Sequence, residues 1–256
     1  MLKVKHLAAV AAVSAATVAP GAFAGVTGNV GAVSEYYFRG LQQDSNGQSP
    51  AIQGGLDWSG DSGLYAGTWA SNVNWGAGNV ELDLYGGYAG KLGDLGYDVG
   101  GIFYYYPGAD QPADATDASP VSVPKANTVE AYIKLSYSYF GLQYYYSPRY
   151  FGLVNTNNDD VSSSYLAGSF SYPVTSSISF NASVGYTMLS DDVLGDGPNG
   201  FATTNHPESK SNYLDYNVGL SKAIDDTLSA TFSVIGTNFS DDSPQVVVGL
   251  KKSFSM

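Results

Sequence analysis

Residues 178–188 of the chain read ISFNASVGYTM, so that an apolar side chain alternates with a small or polar one at every step. Successive side chains of a β-strand point to opposite faces, and about 9–11 residues carry a tilted strand across a bilayer. Residues 128–137 and 228–234 follow the same two-residue period. The pattern is typical of strands that turn one face to hydrocarbon and the other to water.

Nine further segments alternate with less contrast, and residues 63–73 are the weakest of them. The nine segments lie at residues 26–40, 49–58, 63–73, 79–89, 96–106, 141–149, 162–172, 212–222 and 244–254. An even number of strands is what single-chain bacterial outer-membrane barrels contain. We therefore predict an all-β fold, a single antiparallel transmembrane β-barrel of about 12 strands.

The connections between these strands alternate between short and long. Turns near Phe140, Val174 and Ile224 take a few residues. The connections around residues 109, 156 and 199 run to about ten to twenty residues, which is long for compact domains. In an outer-membrane barrel, short turns lie on the periplasmic side and longer loops lie outside.

Aromatic residues fall near both predicted ends of the outward strand faces, as in the girdles of outer-membrane barrels. The periplasmic set is Trp58, Tyr88, Tyr97, Tyr137, Tyr172 and Phe254, and the outer set is Tyr36, Phe38, Tyr105, Tyr144, Tyr146 and Tyr186. The alternative is that these rings form the core of a secreted antiparallel sandwich.

Residues 1–24 have the features of a secretory signal peptide. Lys3 and Lys5 precede an apolar stretch at residues 7–18, and the sequence Ala22-Phe23-Ala24 fits a cleavage site. We predict cleavage after residue 24, one barrel domain at residues 25–256 and a location in the bacterial outer membrane. Loss of the two lysines leaves nine basic residues against 23 acidic ones, a formal charge of -14.

The composition excludes several classes of function. The chain has no cysteine, and its two histidines are His6, in the predicted signal, and His206, in a long loop. A barrel hydrolase needs a histidine base near its serine nucleophile, so we predict no enzyme activity and no catalytic residues. Phosphate loops, dinucleotide fingerprints and basic patches are absent from the sequence, and we expect no cofactor and no nucleic-acid partner.

Three pairs of aspartates lie in predicted outer loops, at residues 159–160, 191–192 and 241–242. They could bridge to lipopolysaccharide through divalent cations, or they could be solvated loop residues. None of the pairs has the spacing of a calcium loop, and we predict no metal site.

Strand parity puts seven of the 23 acidic residues on the inward face and none on the outward face of a strand. The seven are Glu35, Asp57, Glu81, Asp83, Asp98, Glu130 and Asp215. Arg39, Lys134 and Arg149 can point inward as well. Such a lumen favours cationic, zwitterionic or neutral solutes over anions. Alternatively, these charges pair with one another and fill the barrel.

Pairing the first strands through their connections places Glu35 near Gly55 and Gln53 near Trp69. The same pairing puts Asp83 between Trp69 and Tyr104, so we predict a constriction along this wall. The predicted pore-lining residues are Glu35, Arg39, Gln53, Asp57, Trp69, Glu81, Asp83, Asp98, Tyr104, Glu130, Tyr132, Lys134 and Asp215. Rings beside carboxylates can hold an amine by cation–π attraction, or they can merely narrow the barrel.

Five segments resemble the TorF family of proteobacterial porin-like proteins. They are SEYYFRG at 34–40, PAIQGGLD at 50–57, GLYAGTWASNV at 63–73, ELDLY at 81–85 and the closing VGLKKSF at 248–254. The resemblance implies an outer-membrane barrel that admits small solutes. It also implies recognition by the barrel-assembly machinery through the strand that ends at Phe254, although Ser255 and Met256 follow that ring.

The predicted function is a porin-like channel for passive diffusion of small hydrophilic solutes. The alternative is a structural or surface-binding barrel with a plugged lumen. Expected partners are outer-membrane lipid and lipopolysaccharide, the assembly machinery and small-molecule solutes.

Overall fold

Twelve long antiparallel strands, whose side chains alternate between two faces, close into a barrel. The computed structural model describes residues 25–44, 47, 49–75, 78–107, 126–157, 159–193, 211–239 and 243–256. The strands are β1 (Gly25–Val33), β2 (Tyr37–Phe38), β3 (Leu41–Gln42), β4 (Ala51–Ser59), β5 (Leu64–Trp75), β6 (Gly78–Leu92), β7 (Leu95–Tyr105), β8 (Thr128–Tyr137), β9 (Phe140–Ser147), β10 (Ser163–Pro173), β11 (Ile178–Leu189), β12 (Asn212–Ala223), β13 (Leu228–Thr237) and β14 (Gln245–Ser255).

Every barrel strand pairs with its neighbour in sequence, and β1 pairs with both β4 and β14 to close the cylinder. This confirms the predicted 12-stranded antiparallel barrel. One end, which we call the turn end, carries short connections at residues 60–63, 93–94, 138–139, 174–177 and 224–227. The opposite loop end carries the longer connections. The predicted alternation of short and long connections fails at one place on the loop end, where only residues 76–77 join β5 to β6.

The two faces of the barrel wall differ as the sequence predicts. Outward positions carry apolar side chains that are half exposed, such as Ile52, Val129 and Phe232 at 60%, 56% and 49%. All six acidic residues within the barrel strands lie on the inward face with the buried tyrosines. Hydrocarbon could cover the outward face without enclosing an acidic group at mid-depth.

No helix long and apolar enough to cross a membrane occurs among the residues with described positions. The predicted signal peptide at residues 1–24, His206 and the aspartates at 241–242 lie outside the described residues.

A tight turn at the turn end joins β12 to β13. Asp225 accepts hydrogen bonds from the Thr227 hydroxyl and from the amides of Thr227 and Leu228, each at 2.7 Å. These donors stabilise the ionised carboxylate and lower the pKa of Asp225 from 3.8 to about 2. The Asx-type hydrogen bonds fix the short connection that sets the register of the two strands.

The first strand is shorter than predicted. The sequence predicts a strand over residues 26–40, but β1 ends at Val33 and the chain then turns into the lumen. Residues 34–44, which we call the inner hairpin, contain the paired strands β2 and β3 and return to the wall where Asp44 bridges Asn74. The alternation of apolar and polar residues continues through this segment because Tyr36 and Phe38, at every second position, are buried inside the lumen.

The tip of the inner hairpin is a two-residue turn at Arg39 and Gly40. Both residues have positive φ, 49° and 79°, as a type I′ hairpin turn requires. A Cβ on Gly40 would lie 2.6 Å from Thr237 Cγ2 and 2.8 Å from Asp215 Cβ. The tip therefore lies against β12 and β13, on the side of the barrel that is reached from β1 through β14.

The aromatic core of the protein lies inside the loop half of the barrel, around the inner hairpin. Phe38 packs edge-on against Tyr104 and Phe151, with ring centroids 5.7 and 5.6 Å apart. Towards the turn end, inward residues such as Thr27, Ser136 and Ser253 are exposed. The lumen is therefore open at the turn end and filled near the loop end.

Candidate functional site in the barrel lumen

Buried charges line the middle of the lumen, where strands β6, β7, β8 and β12 bring their inward carboxylates. Their exposed fractions are 2% for Glu81 and Asp83, 9% for Asp98, 0% for Glu130 and 6% for Asp215. The described bases on this band are Arg39, 7% exposed, and Lys134. Because ions are costly to bury, the partners of each carboxylate decide what the lumen can bind.

Arg39 forms a buried ion pair with Glu130. Its Nη2 lies 2.6 Å from Glu130 Oε2, which also accepts a hydrogen bond from the Tyr104 hydroxyl at 3.1 Å. Four aromatic rings surround its guanidinium, with centroid distances of 4.2 Å for Tyr165, 4.7 Å for Phe38, 5.2 Å for Tyr145 and 5.9 Å for Tyr150. The tip of the inner hairpin is thus held by one carboxylate and a cage of rings.

Glu81 is held by hydroxyl groups rather than by a base. Tyr36 donates to its Oε1 at 2.8 Å and Tyr106 donates to its Oε2 at 2.5 Å. Tyr36 belongs to the inner hairpin and Tyr106 follows β7. The hairpin is therefore tied to the wall at its first ring as well as at its tip.

Asp98 and Lys134 form a second buried pair, directly opposite each other on β7 and β8. Lys134 Nζ lies 3.7 Å from Asp98 Oδ2 and 4.4 Å from the Tyr132 ring centroid. The Tyr65 hydroxyl donates to Asp98 Oδ1 at 2.6 Å and is hydrogen-bonded to the Tyr132 hydroxyl. These side chains form a closed network below the inner hairpin.

Asp83 has no such partner. No described side chain donates a hydrogen bond to it or forms an ion pair with it, and its Oδ1 is buried and unpaired. It stands directly between Trp69 on β5 and Tyr104 on β7, as the sequence predicts. The charges of Glu81 and Glu130 act on it as well.

The other predicted wall residues lie on the inward face with weaker or more distant contacts. Asp215 accepts a hydrogen bond from Tyr165 at 3.2 Å, and Asp57 accepts one from Tyr85. Gln53 is inward but faces Ser71, not Trp69, so its predicted partner is wrong by two residues. The pore-lining role of all these residues stays a prediction.

Three predicted positions at the loop end need correction. Gly55 pairs with Asn29 and Trp69, so Glu35 is not beside it; Glu35 instead accepts hydrogen bonds from Tyr37 and Gln42 within the inner hairpin. Arg39 is in the lumen but on the hairpin tip rather than on a strand.

Arg149 is not on the lumen wall either: it lies in the β9–β10 loop, 3.2 Å from Asp160, and its side chain is 36% exposed. Arg39 points inward as predicted, although from the hairpin tip. The predicted positions of Glu35 and Arg149 are wrong because the strands around them end earlier than the alternation does.

The aromatic girdle is confirmed at most positions, including Trp58, Tyr137 and Phe254, which are 48%, 58% and 43% exposed on the outward face. The assignment is wrong for Tyr36 and Phe38, which are 7% exposed inside the lumen.

Two rings of the lumen core, Tyr150 and Phe151, were outside the sequence prediction because they lie in a long loop. Phe151 has φ 46° and packs against Tyr104 at 5.3 Å, while Tyr150 is 1% exposed. The apolar run YFGLV at 150–154 is the signal that could have identified them, because a run of large apolar residues in a loop indicates burial.

A cavity of about 150 Å³ opens beside the inner hairpin at the loop end. It is lined by Tyr36, Gln43, Asp44, Ser49, Ala51, Asn72, Val73 and Asn74. Tyr36 links this cavity to Glu81, because it lines the cavity and its hydroxyl donates a hydrogen bond to the carboxylate. Within the described part of the chain, no cluster of acidic or histidine side chains has the arrangement of a metal site.

The sequence profile of a family described as "Bacterial protein of unknown function (Gcw_chp)" matches residues 17–253. The chain belongs to the Gcw_chp family. No curated protein matches this Gcw_chp member by sequence.

Solved structures of outer-membrane porins share the fold of this Gcw_chp protein. A NanC porin aligns with a TM-score of 0.55 and 14% identity, over 90% of this chain and all of its own. A KdgM porin gives 0.53 and 10%, over 89% and 99%. A further structure, of KdgM porin in complex with disordered oligogalacturonate, gives 0.52 and 10%, over 90% and 99%. At these identities the likeness establishes a porin-like barrel fold.

Proposed function

We propose that the protein is an outer-membrane channel that lets small hydrophilic solutes diffuse passively and prefers cations over anions. The single observation that carries the proposal is the charge of the lumen. Six strand carboxylates face the lumen, five of them at most 9% exposed, against the described bases Arg39, Lys134 and Lys251. A narrow passage lined by excess acid favours cations, zwitterions and neutral solutes.

The membrane location rests on the outward face. Half-exposed apolar side chains surround the barrel, with rings towards both ends, and this surface suits hydrocarbon rather than water. By the rule for such barrels, the turn end faces the periplasm and the loop end faces outside. Contact with lipopolysaccharide and recognition of the strand ending at Phe254 by the assembly machinery belong to the same proposal, as does the likeness to the TorF family.

A specific observation also favours a second candidate, a structural barrel with a plugged lumen. The inner hairpin crosses the loop half and is held on the far wall by Arg39 and Glu130. In the channel, solutes pass between this hairpin and strands β4 to β6, where the cavity beside Tyr36 opens. In the plugged barrel, nothing passes.

Single-channel recording of the purified protein in planar bilayers separates the two candidates. The channel predicts discrete conductance steps and, in a KCl gradient, a reversal potential of the sign given by cation preference. A polyanion such as oligogalacturonate should neither pass nor block. Absence of steps above the protein-free background would overturn the channel, and anion preference would overturn the role of the acidic lumen.

A further inference from the structure

Asp83 is the one buried lumen carboxylate for which the described residues provide no compensation. Glu130 has Arg39, Asp98 has Lys134, and Glu81 has two tyrosine hydroxyls. Asp83 is 2% exposed and its Oδ1 has no hydrogen-bond partner. A buried carboxylate without a partner costs several kcal/mol by desolvation, so this position favours a positively charged guest.

The surroundings of Asp83 are aromatic rather than polar. Trp69 and Tyr104 stand opposite it on the two neighbouring strands, on the same inward face. The Tyr36 ring packs against Trp69 with centroids 5.4 Å apart. An anionic oxygen between an indole and a phenol is suited to a flat or compact organic cation, which gains both a charge-assisted hydrogen bond and cation–π attraction.

The protein itself holds such a cation close by. The Arg39 guanidinium rests on Glu130 and on several rings, the nearest with its centroid 4.2 Å away. Asp83 has the same elements, a buried carboxylate flanked by rings, but no guanidinium of the described chain reaches it. Tyr104 belongs to both arrangements, because it donates to Glu130 and faces Asp83.

We propose that Asp83, together with Trp69 and Tyr104, forms a binding site for a small organic cation of the guanidinium or ammonium type inside the lumen. This deepens the proposed channel function by naming the solute class that the passage selects. The cation would arrive from the loop end through the cavity beside Tyr36. Tyr36 lines this cavity, and its hydroxyl contacts Glu81 on the acidic wall.

Methylguanidinium chloride is a suitable probe because its head group matches that of Arg39. Titration of the folded protein in detergent micelles, at constant ionic strength set with NaCl, should give saturable binding to one site. Asp83→Asn should weaken that binding about tenfold or more, as expected for the loss of one charge-assisted hydrogen bond. Asp159→Asn, which removes an exposed loop carboxylate, should leave it unchanged.

A second pair of variants keeps the test independent of the fate of Asp83→Asn. Trp69→Leu should lower the affinity for methylguanidinium, whereas Trp69→Phe should retain most of it because a ring face remains. Folding of each variant is checked by its electrophoretic mobility before and after heating. Equal affinities for the Leu and Phe variants, or for the two Asp variants, would overturn the site.

Two further outcomes decide the chemistry. Binding of Ca²⁺ at lower concentration with the same dependence on Asp83 would overturn the organic-cation assignment. Non-saturable binding of methylguanidinium would overturn the site altogether. Asp83 would then be neutralised by a bound proton instead of an organic cation. Because these titrations need no ion current, a protein that binds the probe but does not conduct would refute only the channel. A conducting protein without the binding step would refute only the site.

Discussion

The contact between Arg39 and Glu130 gives the sharpest test of the lumen architecture. Their side chains are 3% and 0% exposed, and N and O atoms lie 2.6 Å apart. Arg39→Ala leaves the Glu130 carboxylate buried, with the Tyr104 hydroxyl as its remaining hydrogen bond. Removing one partner of a buried ion pair costs about 3–5 kcal/mol, because the other charge stays desolvated. We expect a loss of this size in the free energy of unfolding.

Equilibrium unfolding in urea of the protein refolded into lipid vesicles would measure this loss, with tryptophan emission as the signal. The double variant Arg39→Ala/Glu130→Gln removes the stranded charge as well, so it should lose less stability than the sum of the two single variants. Arg149→Ala is the matched control, because its pair with Asp160 is 36% and 57% exposed. Solvent screening limits such a pair to about 0–1 kcal/mol.

The same variant has a functional readout. Without its contact at Glu130 the inner hairpin is held less firmly, so Arg39→Ala should raise the single-channel conductance. If Arg39→Ala has a free energy of unfolding as high as that of Arg149→Ala, the argument that burial makes the Arg39–Glu130 pair costly to break is refuted. Additive losses in the double variant would refute the coupling between the two side chains.

Three further predictions concern other parts of the barrel. Gly40→Ala should destabilise the protein by more than Gly47→Ala in the same urea assay: the two glycines have similar φ, 79° and 76°, but only a Cβ on Gly40 meets atoms within 4 Å. The pKa of Asp225 is lowered to about 2, so its contribution to the β12–β13 turn should be complete above its ordinary pKa of 3.8 and be lost as the pH falls towards 2. The amide chemical shift of Thr227 followed against pH checks this, and Asp225→Asn should abolish the transition. Phe254→Ala should reduce the amount of heat-modifiable barrel in cell membranes if the assembly machinery reads this strand, and normal amounts would contradict that role.

The wall of the barrel could be predicted from the sequence because the proposed contact with hydrocarbon imposes one requirement on every strand. Side chains at each second position must tolerate lipid, so parity alone placed all six strand acids inside. Register could be predicted where connections are short. The alignment of Asp83 with Trp69 and Tyr104 is correct because two residues join β5 to β6 and two join β6 to β7.

The contents of the lumen could not be predicted in the same way. The rings of Tyr36 and Phe38 continue the period of β1, and alternation does not distinguish a lipid-facing ring from one buried against other rings. The register of β1 against β4 depends on the conformation of the connecting residues 34–50, most of which form the inner hairpin. Contacts between a hairpin tip and strands about ninety residues away leave no local pattern to read.

The position of the inner hairpin also fixes the order in which the protein can be built. The hairpin follows β1 directly and is therefore synthesised before strands β4 to β14. Its tip, however, is held by Glu130 of β8 and Tyr165 of β10, and it touches Thr237 of β13. These strands must be in place before the contacts can form. The inner hairpin is therefore synthesised before these strands but takes its final position after them. In a folding intermediate whose barrel is not yet closed, the lumen would not contain the hairpin.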